Sequence, residues 1–246
     1  MARMSLKTEA NKLYLSYLWW IVEPSMYIGV FYLVFHYILD SRQEDFIFFL
    51  VCGKLPFLWF SKSVLSAADS LLKNRGLIAS LDIPNAVFPY VAVLETLYKQ
   101  WVSLLLLLGA ALYFGSYPTL QWLWLLPLVA IMFVVILGVS MIAALLVTMI
   151  QDLQIVVSMG ILFLMFSSGV FWDVNSIADD RTRELVLLLN PLAFMLDAFR
   201  QTLMYGRSFD IDQALFILAA FATCIVIAHL IFVRASNHLS KHVLQT

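Results

Sequence analysis

Residues 122–149 read WLWLLPLVAIMFVVILGVSMIAALLVTM, an apolar stretch without one charged side chain. A helix needs about 20 such residues to cross a hydrocarbon core about 30 Å thick, so this stretch predicts a membrane span that tilts or projects beyond the bilayer. The whole chain agrees, with 63% hydrophobic and 13% charged residues and a mean hydropathy of +0.91. These values lie outside the range of soluble domains. We therefore expect an all-α integral membrane protein.

The same length test predicts six transmembrane helices in total: Ile21–Leu39, Phe46–Leu65, Ala86–Phe114, Trp122–Met149, Ile155–Phe171 and Ala214–Val233. An even number of spans places both termini on one side of the membrane. That side carries more Lys and Arg residues than the other, which predicts that both termini are cytoplasmic. The formal net charge of -1 argues against a nucleic-acid partner, which would require a concentrated basic face.

Residues 4–20 predict an amphipathic helix in the membrane interface, because their apolar side chains recur at helical spacing. Lys7 and Lys12 lie largely on the opposite face, where a lipid head group would meet them. Trp19 and Trp20 follow at the depth of an aromatic belt. Simple anchoring and a lipid-guiding role are both consistent with this pattern.

The segment 69–84, between the second and third spans, is too short and too polar to cross. Asp69 is placed to begin a short helix and Gly76 to end it. Lys73 and Arg75 make the segment basic on the cytoplasmic side. A solvated loop and a docking element for another protein both fit.

The outer-side segment 172–212 contains two apolar pieces, Leu185–Leu189 and Leu192–Tyr205, that are too short to cross a bilayer. Asn190-Pro191 breaks the chain between them. This pattern predicts a re-entrant helical hairpin before the last span, buried in protein or beside a wet cavity. Asp197 and Arg200 are three residues apart, so we expect them to neutralise one another.

Ionisable residues inside spans need a partner or water, and four are predicted there: Glu23, Lys54, Glu95 and Lys99. Counting from the span ends places Lys54 and Glu95 at similar depths on neighbouring helices. An ion pair between them is one hypothesis, and a Glu95–Lys99 pair at i,i+4 is its competitor. Either pair would be structural, because no chain of His or carboxylates continues into a proton relay.

No catalytic constellation is present. The chain lacks a Gly-x-x-x-x-Gly-Lys-Ser/Thr phosphate loop, and His238 with His242 lacks the intervening Glu of a zinc protease. Ser167-Ser168-Gly169 lacks the frame of a nucleophile elbow. We therefore expect no catalytic or metal site, and a role in moving or scaffolding something with an external motor.

Three short stretches carry a family resemblance: Tyr17-Leu-Trp-Trp-Ile-Val-Glu-Pro24, Gln151-Asp-Leu153, and Leu189-Asn-Pro-Leu-Ala193 followed by Asp197-Ala-Phe-Arg200. Together they resemble the permease subunits of type-2 ABC exporters for polysaccharides, which include O-antigen, capsule and teichoic acid exporters. The resemblance covers essentially the whole chain in length, span number and segment order.

The resemblance implies one permease domain over residues 1–246 in the inner membrane, forming a homodimer with two copies of an ABC ATPase. ATP and Mg²⁺ would bind to that partner, and this chain would hold no cofactor. The substrate would be a lipid-linked glycan. Residues 69–84 would couple to the ATPase through Asp69, Lys73 and Arg75, with Asp152 at the next cytoplasmic turn.

A glycan presents apolar C–H faces that stack on aromatic rings, so a few aromatic residues are candidates for the substrate path. They are Tyr14, Tyr17, Trp20 and Trp172, with Arg200 as a charged contact. Lys7 and Lys12 are candidates for the phosphate of the carrier lipid or of ordinary anionic lipid.

Other functions remain as alternatives. A permease of the same architecture could export a drug or a small lipid. An integral-membrane transferase acting on lipid-linked sugars would need a buried acid–base pair facing a cavity. A scaffold for other membrane proteins would not require a re-entrant hairpin.

Overall fold

The computed structural model describes residues 16–34, 44–81, 83–236 and 239, and this part of the chain is helical. In chain order the helices are α1 Ser16–Tyr32, α2 Glu44–Ala68, α3 Ser70–Lys73, α4 Arg75–Ser80, α5 Val87–Tyr113, α6 Leu125–Met149, α7 Leu153–Ser167, α8 Asp180–Leu189, α9 Pro191–Leu203 and α10 Ile211–Arg234. Short 3₁₀ turns at Leu120–Trp124 and Val174–Ser176 precede α6 and α8.

Four stretches in the described residues are long and apolar enough to cross a membrane: Phe46–Ala68, Val87–Tyr113, Leu120–Met149 and Ile211–Arg234. They confirm the integral-membrane prediction at four of its six positions. At the other two positions the structure has shorter apolar helices, α1 with 17 residues and α7 with 15. The predicted span at Ile155–Phe171 continues beyond the end of α7 at Ser167. The helix stops there because Gly169 adopts a left-handed φ of 72°, which ends a helix without a steric penalty for glycine.

Helix α2 is the centre of the bundle. It packs against α5, α6, α9, α7 and α1, and its side chains are buried almost continuously from Ile47 to Phe60. On its α5 side the Ser63 and Thr96 hydroxyls are 2.6 Å apart, which satisfies two polar groups inside the bundle. The helix that sequence alone would place in lipid is therefore surrounded mainly by protein.

Side-chain contacts between distant segments define the two ends of the bundle. At one end the Phe48 ring, near the start of α2, stacks on Phe114 with centroids 5.5 Å apart. At the same end the Ser116 hydroxyl donates to the carbonyl of Leu203. At the opposite end the amide of Asn85 donates to the Ser236 carbonyl at 2.9 Å, which joins the start of α5 to the end of α10.

Helices α8 and α9 meet at Asn190, as the sequence predicted. The Asn190 side-chain oxygen accepts from the N–H groups of Leu192 and Ala193 at 3.1 and 3.2 Å. Pro191 occupies the first position of α9, where its missing N–H has no cost. Asn190 therefore caps α9 directly after α8 ends.

The segment 69–84 differs from the prediction in where it breaks. Asn74, rather than Gly76, separates the two short helices, and Gly76 lies inside α4. The Asn74 side chain donates to the carbonyl of Ser70 at 2.7 Å, which occupies the acceptor that the next helical turn would use. Asp69 precedes α3, but its carboxylate pairs with Lys73 at 2.8 Å instead of capping the helix.

Helices α6 and α10 approach one another closely at Gly138. A methyl group at this position would lie 2.9 Å from the Phe221 ring and 3.4 Å from the Phe221 carbonyl. A larger residue would displace the Phe221 ring, so glycine at this position allows the close contact between the two helices.

We predict that Gly138→Ala lowers the free energy of unfolding by about 1–3 kcal/mol, because the added methyl group overpacks the α6–α10 contact. Gly160→Ala in α7 is the matched control, since nothing lies within 4 Å of the methyl group it adds. Thermal unfolding of the purified subunit in one detergent measures both variants. Equal midpoints for the two would contradict the predicted role of Gly138.

Candidate functional site

Arg200 lies at the junction of α9, α2 and the turn after α7. Its side chain is buried, with 1% of the residue exposed. The Nε group donates to the Phe49 carbonyl at 3.3 Å, and Nη2 donates to the Val170 carbonyl at 3.1 Å. The guanidinium carbon also lies 3.4 Å from the centroid of the Phe49 ring. One planar cation thus holds three separate segments together.

Two glycines lie at this junction: Gly53 makes room for the guanidinium, and Gly169 makes room for the backbone of the turn. A methyl group on Gly53 would overlap Nη2 of Arg200 and lie 3.3 Å from the Val170 carbonyl. A methyl group on Gly169 would lie 3.1 Å from the Trp172 carbonyl and 3.9 Å from Nη1. We define the Arg200 junction as Arg200, Phe49, Gly53, Gly169 and Val170. Sequence reasoning identified Arg200 but not its surroundings.

Asp197 does not form the predicted ion pair with Arg200. Its carboxylate accepts from the Asn175 side chain at 2.8 Å and from Gln201 at 3.5 Å. Arg200 instead points toward α2 and the turn after α7, where the carbonyls of Phe49 and Val170 accept hydrogen bonds from its guanidinium. The Asn175 contact ties the turn before α8 to α9, and no sequence pattern indicated it.

Asp197 borders a cleft of about 690 Å³ between α8, α9 and α10. We call it the outer cleft, because the sequence predicts that this part of the chain is on the outer side. Its walls combine aromatic rings with carboxylate and amide groups: Phe194, Phe209, Phe216, Asp197, Gln201 and Gln213. The Gln213 amide donates to the Leu187 carbonyl at 2.7 Å, which closes one side of the cleft. Such a surface offers stacking faces and hydrogen-bonding groups to a polar ligand.

Side-chain hydrogen bonds fix the start of α8 and the turn after α7. The Asp179 carboxylate accepts hydrogen bonds from the hydroxyl and the N–H of Thr182 at the start of α8. These bonds hold the pKa of Asp179 below its usual value. The Trp172 indole donates to the Phe166 carbonyl at 2.7 Å, so its N–H fixes the turn after α7.

Lys54 has partners other than Glu95. Its ammonium lies 3.2 Å from the sulfur of Met165 on α7. The Ser63–Thr96 contact explains the difference, because it places Glu95 beside Ser63 on α2. Ser63 is nine residues after Lys54, which is roughly 13 Å along the helix. Counting from the span ends gave depth without this register.

The other charged residues that the sequence predicts within spans do not cluster with Lys54. Glu23 on α1 pairs with Lys62 on α2, a partner that the sequence did not suggest. Glu95 and Lys99 are half-buried on α5. Polar groups thus occur on the faces of α1 and α5 that flank the central helix.

The predicted coupling residues fall on two connections. Leu71 is fully buried and fixes α3 against α5 and α6, whereas α4 has no buried residue. Lys73, Leu77 on α4 and Leu81 directly after α4 are exposed. Asp152 is exposed just before α7. Arg75 is half-buried at the start of α4.

The remaining predicted site residues lie at or beyond the amino-terminal limit of the described chain. Tyr17 and Trp20 belong to α1. Lys7, Lys12 and Tyr14 lie outside the described residues, as does most of the predicted interface helix 4–20.

We predict that Arg200→Lys lowers the free energy of unfolding by about 2 kcal/mol or more. A lysine cannot stack on Phe49 while donating to two separate carbonyls, and an unsatisfied buried acceptor is costly. Arg207→Lys is the control, since Arg207 is exposed beyond the end of α9. Thermal unfolding in detergent measures the effect, and an equal loss in both variants would contradict the role of the Arg200 junction.

Comparison with known proteins gives relatives across most of the chain. The chain is 28% identical over 220 residues to the O-antigen export system permease protein RfbA of Myxococcus xanthus, covering 89% of this chain and 84% of that protein. It is 26% identical over 202 residues to a protein of the same name from Klebsiella pneumoniae, covering 82% and 77%. The polysialic acid transport protein KpsM of Escherichia coli is 26% identical over 204 residues, covering 82% and 78%.

The family comparison agrees with the resemblance found in the sequence motifs. The model for the ABC-2 type transporter family matches residues 4–204, which include α1 to α9 and the whole Arg200 junction. The chain therefore belongs to the ABC-2 type transporter family, of which it is a membrane component rather than the ATPase.

Proposed function

We propose that this chain is the permease subunit of an exporter that moves a lipid-linked polysaccharide across the inner membrane. The observation that carries the proposal is the set of relatives named for O-antigen export and polysialic acid transport, aligned over more than four fifths of this chain. Those names describe two different polysaccharides. A membrane subunit that is similar to both kinds of transporter is expected to recognise general features of glycans rather than one sugar.

ATP hydrolysis is assigned to a separate ATPase, two copies of which would bind ATP and Mg²⁺ below a dimer of this chain. The family membership supports this division, because the sequence has no phosphate-binding loop. The homodimer is supported by α7, where Ile161 is buried and most other side chains are exposed and apolar. A second copy would cover part of that face, and lipid would cover the rest.

The proposed topology has six spans with both termini in the cytoplasm, and all of it belongs to one permease domain. The described helices α1 and α7 supply the two shorter crossings, each extended by neighbouring residues. Helices α8 and α9, with 10 and 13 residues, are too short to cross alone and would form the re-entrant hairpin. Their polar caps and the Arg200 junction satisfy the backbone groups that lipid would leave bare.

The segment 69–84 is proposed as the coupling element. Helix α3 is fixed to the bundle through Leu71, and Leu77 on α4 and Leu81 directly after it are exposed apolar residues with 39% and 51% exposure. An apolar helix face flanked by Lys73 suits insertion into a groove of the ATPase. Asp152 would contact the same partner from the next cytoplasmic turn.

The proposed path for the glycan ends at the outer cleft. Its phenylalanine rings offer stacking surfaces for sugar C–H faces, and Asp197 and Gln201 offer acceptors and donors for hydroxyl groups. Arg200 supports this cleft from behind as a positioning residue, because it is buried away from it. The aromatic residues Tyr14, Tyr17, Trp20 and Trp172 stay proposed contacts nearer the entrance and rim.

We predict that the tagged chain, purified in mild detergent, retains an ABC ATPase in equal amount, and that Leu77→Asp abolishes this retention. A carboxylate would be buried without a partner in the apolar contact. Leu120→Asp is the control, since Leu120 is 84% exposed at the opposite end of the bundle. Quantitative mass spectrometry of the eluate measures the ratio of the two subunits.

Depletion of the chain should also cause lipid-linked glycan to accumulate on the cytoplasmic side, as measured by glycan labelling of inverted vesicles. Retention of an ATPase without any accumulation of glycan would contradict the polysaccharide cargo and favour a drug or small lipid. Absence of an ATPase would contradict the coupling proposal itself.

A further inference from the structure

Two lysines on α2 lie beside α1, and they differ in their partners. Lys62 pairs with the Glu23 carboxylate on α1. Lys54, two helical turns earlier, is 9% exposed and contacts no carboxylate among the described residues. Its ammonium lies 3.2 Å from the Met165 sulfur, with the Tyr27 ring centroid 5.0 Å away and the Phe57 centroid 5.8 Å away.

These partners do not balance a buried ammonium group. A thioether is a weak acceptor, and an ammonium has three donors to satisfy. A cation above an aromatic ring gains about 0.5–2 kcal/mol, whereas removing an ammonium from water costs several kcal/mol. The fold around Lys54 therefore stabilises its charge only in part.

The position of Lys54 along α2 makes this imbalance informative. It lies ten residues after the start of α2 at Glu44, which is roughly 15 Å along the helix. That distance is about half of a hydrocarbon core about 30 Å thick. A charge at this depth is expensive, and its retention there indicates a functional rather than a structural group.

Lys54 also lies in a seam between two helices. Helices α1 and α7 each pack against α2 but not extensively against one another. Tyr27 on α1 and Met165 on α7 reach the ammonium from the two sides. The outer faces of both helices are apolar and exposed, including Met26 and Phe163 at 57% and 70%. We call this site the α1–α7 seam.

A single cation between apolar walls matches an anion that is attached to a lipid. The alkyl chain would cover the exposed apolar side chains, and the phosphate oxygens would replace Met165 as acceptors. Charge-assisted hydrogen bonds from an ammonium to phosphate are short and about twice as strong as neutral ones. A free, hydrated phosphate would lack the apolar contacts and would have to lose its water.

We propose that the Lys54 ammonium binds the phosphate of a lipid-borne anion in the α1–α7 seam. The identity of that lipid rests on the proposed function, which makes the carrier phosphate of the lipid-linked glycan the occupant. Lys54 then stabilises this phosphate near the middle of the hydrocarbon core, where the desolvation cost of its charge is highest. Lys62 takes no part, because Glu23 already neutralises it.

The test uses the complex of this chain with its ATPase in neutral phosphatidylcholine nanodiscs. Lys54→Met removes the charge and places a flexible apolar side chain among Met165, Tyr27 and Phe57. Lys62→Met is the matched control, and equal retention of the ATPase shows that both variants assemble. Native mass spectrometry measures binding of a polyprenyl diphosphate, of the neutral polyprenol and of phosphatidylglycerol.

We expect Lys54→Met to weaken polyprenyl diphosphate binding at least tenfold and to leave polyprenol binding unchanged, while Lys62→Met behaves like the native chain. Unchanged diphosphate binding in an assembled Lys54→Met complex would overturn the proposal. If Lys54→Met loses only phosphatidylglycerol binding, the assignment to the carrier phosphate is overturned. The site then binds ordinary anionic lipid.

Export separates this proposal from the proposed function. Suppose that the native complex binds polyprenyl diphosphate through Lys54, but that depletion of this chain from cells causes no accumulation of lipid-linked glycan. This result would overturn the proposed polysaccharide cargo and leave the phosphate site in place. Glycan export at the native rate by Lys54→Met would overturn the phosphate site and keep the cargo.

Discussion

The buried guanidinium of Arg200 is the interaction on which the packing of α9 against the central helix depends. It joins α9 to the central helix and to the turn after α7 through two backbone carbonyls and the Phe49 ring. Two carbonyl dipoles and an aromatic ring stabilise this buried charge instead of a carboxylate, and Nη1 has no hydrogen-bond partner among the described residues. Gly53 follows from the same requirement, because a methyl group there would overlap Nη2, whereas Gly169 is required by its left-handed φ of 72° and by the nearby Trp172 carbonyl.

The central helix has a second consequence for the chemistry of the subunit. Because α2 is surrounded by α1, α5, α6, α7 and α9, polar residues away from the α1–α7 seam, such as Ser63, meet protein rather than lipid. Ser63 and Pro56 are therefore tolerated within a long apolar helix. Helix α10 has the opposite character, since most of its side chains are exposed and apolar, as a lipid-facing helix requires.

Sequence alone predicted those features that depend on composition and local geometry. Helix length and hydropathy located the long helices, and Asn190-Pro191 located the break between α8 and α9, because a side-chain cap and a missing N–H act within four residues. The expected Lys54–Glu95 and Asp197–Arg200 pairs were wrong for different reasons. The first needed the register between α2 and α5, which the Ser63–Thr96 contact sets. The second needed the position of α2 behind α9, which gives Arg200 better-placed acceptors than its neighbour on the same helix. The break at Asn74 was missed because an amide side chain, not a glycine, ends the helix there.

Arg200 and Lys54 show why burial alone does not separate structural cations from functional ones. Both are more than nine-tenths buried, and both lie against an aromatic ring. Arg200 uses two of its donor groups on carbonyls that belong to different segments, so removing it would loosen the fold. Lys54 contacts a sulfur and two aromatic rings at a seam between helices that make few contacts with one another. Replacing it would remove only these weak contacts and would also remove the desolvation cost of its charge. A fold that keeps such a group gains nothing from it in the resting subunit. The charge becomes favourable only when an acceptor arrives from outside the chain, and within a bilayer that acceptor has to be carried on a lipid.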